Sequence, residues 1–417
     1  MSIDSARYAI PRPAEGDWPG LATPAHSPLK ATAARLLFNA VVRGLPIKVV
    51  LPDGRRMGGG GQNAPEMRVR RPSDFFNRLG ADGTIGLGEA YMVGDWTTDS
   101  LVEVLTPFAA KMTGLVPQPL RDVRRWAGHR KPAAEHNTID GARENIHRHY
   151  DLSNDLFSLF LDDTMTYSSA WFAPGTDELT AAQIRKVDAI LDYAGVRAGT
   201  RVLEIGSGWG ALAIRAAKRG ADVTSLTIST EQKELADQRI AEAGVADQVR
   251  VVMRDYREET GRYDAVVSVE MIEAVGHQYW PDYFGAVDRV LEPGGRFALQ
   301  AITMPHSQMI ATRYSQGWPH KYIFPGGELL SIPAIEHQVA EHTHMRIVER
   351  QALGSHYART LRHWRLRFLD QWPKVSALGF DETFRRMWEF YLAYFESGFR
   401  ADYLNVWQLR MDKRQAS

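Results

Sequence analysis

One strand and the glycine-rich turn after it constrain the fold of this chain more than any other feature. The run Arg201-Val202-Leu203-Glu204-Ile205 has the pattern of a buried strand, and Gly206-Ser207-Gly208-Trp209-Gly210 follows it directly. A helix is predicted over 210–219. Because glycine permits positive φ and close approach of the backbone to a ligand, this unit is typical of an α/β protein that binds its ligand at the carboxyl end of a strand.

Strands and helices alternate along the rest of this region. Further strands are predicted at 222–228, 249–253, 265–269 and 296–302, with a helix at 231–243. This order predicts an α/β fold with a doubly wound parallel sheet. The aromatic-rich residues 375–405 are predicted to form a helical cover over the binding end of the sheet; an ordinary hydrophobic core is the alternative for their aromatic stripe.

The length of 417 residues suggests two or three domains. Residues 1–28 are predicted as a flexible arm, 29–114 as a small α/β module, 115–140 as a basic linker and 141–417 as the domain with the glycine turn. The linker combines five basic residues with apolar ones: Leu120, Arg121, Val123, Arg124, Arg125, Trp126, Arg130 and Lys131. This combination predicts contact with an anionic membrane surface, and an ordinary charged linker helix is the alternative.

Composition excludes several classes of function. Fifty basic residues balance fifty acidic ones, so no global positive field favours nucleic acid. The absence of cysteine excludes disulfides, thiolate zinc sites and cysteine nucleophiles. No apolar stretch is long enough to span a bilayer and no signal peptide is visible, which predicts a cytoplasmic protein.

The ends of the predicted strands indicate which cofactor the sheet binds. The third glycine of the turn lies two residues after the second, which does not fit the dinucleotide fingerprint and favours S-adenosylmethionine over NAD. Thr227, Ser229 and Gln232 are predicted at the ribose, and Asp255 and Tyr256 at the adenine. For the turn the alternative is a plain strand–turn–helix, and for Asp255 it is a helix N-cap. Glu270 and Glu273, three residues apart at another strand end, are an unusual pair for a buried position.

Several longer motifs give the chain a recognisable likeness. They are 147–157 (HRHYDLSNDLF), 161–170 (LDDTMTYSSA), 204–210 (EIGSGWG), 271–273 (MIE), 322–327 (YIFPGG) and, in the N-terminal module, 88–96 (GEAYMVGDW). With these motifs the chain resembles the cyclopropane-fatty-acyl-phospholipid synthase family of S-adenosylmethionine-dependent methyltransferases. Within it, the chain most resembles the actinobacterial branch that makes 10-methylene fatty acids for tuberculostearic acid.

The resemblance implies a fold, a cofactor and a substrate. Residues 141–417 would be a class I methyltransferase domain, and 29–114 the module that accompanies members acting on phospholipids. Tyr167 and Ser168 would contact the methionine end of S-adenosylmethionine, together with Glu204, Gly206, Ser207 and Gly208. The substrate would be the cis double bond of an oleoyl-type phospholipid acyl chain.

The resemblance also raises the question of the catalytic base. Glu273 and Tyr357 match positions that hold a bicarbonate ion in the cyclopropane synthases. The family's cysteine is replaced by Ser169 and its bicarbonate-binding histidine by Gln300. These changes favour a protein carboxylate as the base and a methylene-branched product.

The candidates for this base are Glu144 and Glu273, and His149 is predicted to line the site. A solvated helix face is the alternative for Glu144. No metal is predicted, because His147 and His149 at i, i+2 do not share a helix face.

Other readings remain open on the sequence: a cyclopropane synthase with bicarbonate as base, a methyltransferase of a soluble small molecule, and a binding protein without activity. The expected partners are a phospholipid acyl chain at the inner membrane surface, a further copy of the chain in a homo-oligomer, and a separate reductase for the product.

Overall fold

The computed structural model of the chain describes residues 12–13, 18–111 and 153–415. Glu144, His147, His149 and the predicted linker 115–140 lie outside the described residues.

Strands within the described ranges are, in chain order, β1 Lys48–Val50, β2 Arg56–Met57, β3 Glu66–Val69, β4 Trp96–Thr97, β5 Arg201–Ile205, β6 Asp222–Thr227, β7 Val249–Met253, β8 Tyr263–Val269, β9 Leu291–Thr303, β10 Met345–Ala352 and β11 Asn405–Lys413.

Helices within the same ranges are α1 Pro28–Arg43, α2 Pro72–Asp82, α3 Thr84–Met92, α4 Leu101–Lys111, α5 Asn154–Phe160, α6 Leu179–Tyr193, α7 Ala211–Ala217, α8 Thr230–Glu242, α9 Trp280–Val290, α10 His306–Thr312, α11 Trp318–Tyr322, α12 Ile332–His342, α13 Gly354–Asp370, α14 Trp372–Ala377 and α15 Glu382–Arg400.

A sheet of seven described strands confirms the predicted doubly wound α/β fold. Its order is β10-β11-β9-β8-β5-β6-β7, and β9, β8, β5, β6 and β7 are parallel. The prediction of a parallel sheet does not hold for two of these strands, because β11 pairs antiparallel with β9 and β10 pairs antiparallel with β11. The register places Gln408 of β11 opposite Gln300 of β9.

The sheet carries one hydrophobic core on each face, because side chains alternate along a strand. Val202 of β5 packs on the face covered by α6, α7 and α8. Leu203 and Ile205 pack on the face covered by α9 and α12. By the same alternation Glu204 of β5 and Gln300 of β9 point to the α6 face. Polar side chains near the carboxyl edge of the sheet therefore converge on α6.

The chain divides into two compact units. Of the described residues, one unit contains 12–13, 18–111, 317–323 and 368–401, and the other contains 153–316, 324–367 and 402–415. These units combine segments that are distant in sequence, whereas the predicted domains are consecutive stretches. The first unit includes the four-stranded sheet β2-β1-β3-β4.

The aromatic helix α15 belongs to the first unit. The ring of Phe390 lies 4.8 Å from that of Trp318 and 5.6 Å from that of Tyr91. Arg386 Nε donates to Tyr91 O at 2.7 Å. A Cβ at Gly88 would lie 2.4 Å from Trp318 Cδ1, so α3 needs a glycine where this indole packs. The aromatic stripe of α15 is thus part of a hydrophobic core, which was the alternative interpretation of this segment.

Candidate functional site

The glycine turn after β5 has the backbone that its composition predicts. Gly206, Gly208 and Gly210 have φ of +94°, +47° and +87°. The backbone N–H groups of Gly206 and Ser207 both donate to Leu226 O at 3.0 Å, which fixes the turn against β6. A Cβ at Gly206 would lie 3.2 Å from Met271 Cγ, whereas one at Gly208 would meet open space. The turn therefore leaves room for a ligand against its backbone.

The polar residues after β6 form one local network. Thr227 Oγ1 donates to Gln232 Oε1 at 3.0 Å and accepts from the N–H of Ser229 at 3.1 Å. Ser229 Oγ caps α8 by accepting from the N–H of Gln232 at 3.2 Å. These three residues lie together at the carboxyl edge of the sheet, and their contact with a ribose stays a prediction.

Asp255 begins the short 3₁₀ turn Tyr256–Glu258 after β7. Its carboxylate accepts from the N–H of Arg257 at 2.9 Å and forms an ion pair with the Arg257 guanidinium, with two contacts of 2.7 Å. Asp255 is therefore an N-cap, which was the alternative interpretation of this residue. The ring of Tyr256 packs edge-on against Tyr283 at 5.3 Å, and burial raises the pKa of its phenol, which stays neutral.

A carboxylate that the sequence analysis left without a role, Glu270, lies at the centre of a hydrogen-bond cluster after β8. Its Oε1 accepts from Ser169 N at 2.9 Å and from Gln300 Nε2 at 2.7 Å. Its Oε2 accepts from Tyr357 Oη at 2.8 Å. Gln300 and Tyr357, whose positions the resemblance associates with bicarbonate binding, thus contact a side chain of the protein itself.

The orientation of Gln300 is determined by a second amide. Gln408 Nε2 donates to the carbonyl of Lys186 at 3.1 Å and to Gln300 Oε1 at 3.0 Å. Since a backbone carbonyl can only accept, the Gln408 amide has one orientation, and it leaves Gln300 Nε2 for Glu270. Both glutamines are fully buried. The antiparallel pairing of β11 with β9 therefore aims a donor at the carboxylate.

Helix α6 supports the segment that contributes Ser169. Gln183 Nε2 donates to Ser168 O at 2.9 Å, and Lys186 Nζ donates to Ser168 Oγ at 2.6 Å. Residues three apart share a helix face, which explains why both reach the same segment. Ser169 contacts Glu270 through its backbone N–H, while its hydroxyl donates to Ala170 O at 3.1 Å. The replacement of cysteine by serine therefore leaves this contact unaffected.

Burial and charge together determine the protonation of the cluster. Burial lowers the pKa of Lys186 to about 8, against the pull of Glu270, Asp162 and Glu204. Burial raises the pKa of Glu204 to about 8, opposed by the Ser225 hydroxyl at 2.5 Å and by Lys186. Burial also raises the pKa of Glu270, while its three donors and Lys186 act in the opposite direction.

Glu273 has a different environment from Glu270. Its Oε1 accepts from Ile302 N at 2.5 Å, and its Oε2 is buried with no hydrogen-bond partner in the described part of the chain. Burial, reinforced by the negative charge of Glu270, raises its pKa to about 8. The carboxyl of Glu273 is therefore largely protonated at neutral pH.

Aromatic rings lie next to the carboxylate cluster. The ring of Tyr167 lies 5.1 Å from that of Phe157 and 5.2 Å from that of Trp364. Trp364 is perpendicular to Tyr357 at 6.0 Å. Tyr357 and Trp364, seven residues apart, lie on one face of α13. Packed aromatic rings thus connect Tyr167, a predicted cofactor contact, to Tyr357, whose hydroxyl donates to Glu270.

Sequence reasoning missed Glu270, Lys186 and Gln408 as members of the cluster. The one signal that could have found Glu270 was its spacing of three residues from Glu273, which was noticed without assigning it a role. Lys186 and Gln408 look like ordinary helix and strand residues. Glu144 and His149 stay predictions, since they lie outside the described residues, and within 12–13, 18–111 and 153–415 no group of three or more His, Asp or Glu could hold a metal.

Comparisons with known proteins agree with this geometry. The family model for mycolic acid cyclopropane synthetase matches residues 137–409. Tuberculostearic acid methyltransferase UfaA1 of Mycobacterium tuberculosis is 49% identical over 401 residues, 94% of each chain. Cyclopropane-fatty-acyl-phospholipid synthase of Escherichia coli K12 is 36% identical over 84% of this chain and 88% of its own.

A solved structure of mycolic acid cyclopropane synthase CmaA1, in complex with S-adenosylhomocysteine and CTAB, is 31% identical. It superposes with a TM-score of 0.59 over 68% of this chain and 99% of its own. The open glycine turn and the polar groups at the ends of β6 and β7 fit S-adenosylmethionine as the cofactor. The chain therefore belongs to the mycolic acid cyclopropane synthetase family and is an S-adenosylmethionine-dependent methyltransferase.

Proposed function

We propose that the protein transfers a methyl group from S-adenosylmethionine to the cis double bond of an oleoyl-type phospholipid acyl chain and releases a 10-methylene-branched chain. The 49% identity to a tuberculostearic acid methyltransferase supports this substrate class. The observation that carries the proposal is a carboxylate held by three neutral donors beside an aromatic cluster. An alkene that gains a methyl cation needs a site that excludes water and a base that removes a proton, and this carboxylate would supply the base.

The residues that would hold the cofactor are those that line the open edge of the sheet. The glycine turn and Tyr167 would contact its methionine end, Thr227 and Gln232 its ribose, and Tyr256 its adenine. S-adenosylmethionine supplies an electrophilic methyl group. The chain's own contribution is to orient the alkene, for which well-aligned geometry is worth about 7–11 kcal/mol in favourable cases.

The carbocation that forms on the acyl chain must then be stabilised and deprotonated. A desolvated aromatic face stabilises a cation by about 2 kcal/mol or more, and Tyr167 and Trp364 offer such faces near the cluster. A hydride shift to the cationic carbon followed by loss of a methyl proton to a protein carboxylate gives the exocyclic methylene.

The substrate requires contact with a bilayer, and helix α1 offers a surface for it. Leu29, Leu36 and Leu37 are 86%, 68% and 52% exposed, and Lys30 and Arg35 are exposed beside them. Exposed leucines flanked by basic residues favour peripheral binding to an anionic membrane. In the described part of the chain, no helix combines the length and apolar character needed to cross a membrane.

Vesicle flotation tests this surface. Combined Leu36→Glu and Leu37→Glu substitutions are expected to abolish flotation with phosphatidylglycerol vesicles. Leu378→Glu, a 43% exposed leucine outside α1, serves as the matched control and is expected to float like the unmodified protein. Equal flotation of all three proteins would exclude α1 as the membrane contact.

Proton NMR of the lipid product tests the reaction itself. The protein is incubated with dioleoyl phosphatidylglycerol and methyl-labelled S-adenosylmethionine. Vinylidene protons are expected. Upfield ring protons would instead show the cyclopropane product, which the Escherichia coli relative's name favours. A lipid fraction without label would favour a soluble small-molecule substrate.

A further inference from the structure

We propose that Glu270 is the base of this reaction, built into the chain and held in place by Ser169, Gln300 and Tyr357. This inference deepens the proposed function and rests on it. It is an alternative to Glu144 and Glu273, the two carboxylates favoured by the sequence.

Three neutral donors from three parts of the second unit converge on this one carboxylate. They are the backbone N–H of Ser169, the amide of Gln300 and the hydroxyl of Tyr357, at 2.7–2.9 Å. A carboxyl group that only accepts hydrogen bonds is favoured in its ionised form. Each donor is itself positioned by other contacts, so the hydrogen-bond geometry around the carboxylate is preorganised.

The backbone of Glu270 shows that this position has a conformational cost. Its φ is +49°, a left-handed value that a residue with a side chain seldom adopts. Such a conformation costs about 1–3 kcal/mol and persists only where the surroundings impose it. The strained conformation directs the carboxylate into the donor cluster, away from the regular course of β8.

The neighbouring acids are less suited to accept a proton. Glu273 has a pKa near 8 and is already largely protonated at neutral pH. Glu204 has a similarly raised pKa and is bonded to Ser225. Burial raises the pKa of Glu270 as well. Its three hydrogen-bond donors and the charge of Lys186 oppose this rise and favour the anion. Because an alkyl carbocation is a very strong acid, a base that is ionised and well placed matters more than one of high basicity.

Methyl transfer, hydride migration and deprotonation occur in this order. The π electrons of the alkene form the bond to the incoming methyl carbon, while the methyl–sulfur bond breaks and leaves its electron pair on sulfur. Hydride migration then places the positive charge on the methyl-bearing carbon. A C–H bond of the new methyl group breaks, its electron pair forms the exocyclic C=C bond, and the proton passes to the Glu270 carboxylate. Release of this proton to water restores the anion.

Two substitutions at Glu270 distinguish the loss of the carboxylate from the loss of the side-chain volume. Glu270→Gln keeps the volume and removes the base, while Glu270→Gly removes the carboxylate, suits the positive φ and opens a carboxylate-sized space among the donors. We expect both variants to bind S-adenosylhomocysteine within about threefold of the unmodified protein and to lose about 10²–10⁴-fold in kcat. Added formate or bicarbonate is expected to restore turnover in Glu270→Gly but not in Glu270→Gln, whose side chain fills the space.

Asp402→Gly is the matched control, because Asp402 is an exposed acid with φ +55°. It is expected to leave kcat unchanged. Retention of normal turnover by Glu270→Gln, or the same response of both variants to formate, would overturn the assignment. Failure of the proposed function looks different: the unmodified protein would then bind cofactor but methylate no lipid.

Discussion

The hydroxyl of Tyr357 provides a sharp test of how Glu270 is controlled. Tyr357→Phe removes the donor to Glu270 Oε2 at 2.8 Å and keeps the ring that packs against Trp364. Since the residue is buried and the change is nearly isosteric, the fold should persist. The variant removes a hydrogen bond to the proposed base and keeps the ring.

The magnitude follows from the charge of the acceptor. A hydrogen bond to a charged group is worth about 1.5–3 kcal/mol, which corresponds to about a 10–150-fold change in the protonation equilibrium at 1.4 kcal/mol per tenfold. Loss of a donor to the anion raises the pKa of Glu270. Because the base acts in its ionised form, the acid limb of the rate profile must move to higher pH in the variant, while the rate at high pH falls much less.

The assay is kcat against pH from 5 to 9 with saturating cofactor and vesicle substrate, and binding of S-adenosylhomocysteine serves as the control. An acid limb that coincides with that of the unmodified protein would refute the reasoning. A loss of rate that is equal at every pH would do so as well, since it would indicate a structural role for the hydroxyl.

Three further changes test other parts of the site. Gln408→Leu leaves Gln300 Oε1 without its donor. We expect the free energy of unfolding by urea to fall by about 1–3 kcal/mol and kcat to fall at unchanged cofactor affinity. An unchanged kcat would show that Gln300 does not need the Gln408 amide to orient it. Gly206→Ala places a Cβ 3.2 Å from Met271 Cγ at φ +94° and is expected to weaken S-adenosylhomocysteine binding at least tenfold by calorimetry, in contrast to Gly285→Ala, whose Cβ would meet open space. Burial raises the pKa of Glu273, so its carboxyl binds a proton more tightly in the folded state, and its contribution to stability is lost as pH rises from about 4.5 to about 8. We expect Glu273→Gln to lower the pH dependence of the unfolding free energy over this range. An identical pH dependence in both proteins would contradict the burial argument.

Much of the sheet was predictable from local patterns. β5 and β7 occur at the predicted residues, because continuous apolar runs bounded by turns identify buried parallel strands. The strands β10 and β11 were not predicted. Most residues of β10 are partly or fully exposed, so it lacks a clear apolar alternation, and β11 becomes a strand by pairing with β9.

The site was predictable in its cofactor half and much less so in its catalytic half. Glycines with positive φ and polar strand ends have local signatures, which is why residues 206–210 and Thr227 could be named from the chain alone. The choice between Glu270 and Glu273 had no such signature. Both are glutamates at the same strand end, and only their partners distinguish them.

The sequence by itself determined the α/β class, the family and the cofactor, since each follows from residue type and spacing along the chain. Tertiary structure alone decided which carboxylate meets Ser169, Gln300 and Tyr357, because these donors lie 101, 30 and 87 residues away from Glu270 along the chain. Their convergence depends on the antiparallel register of β11, on the left-handed backbone at Glu270 and on the face that α13 presents. None of these is encoded in a short stretch of sequence.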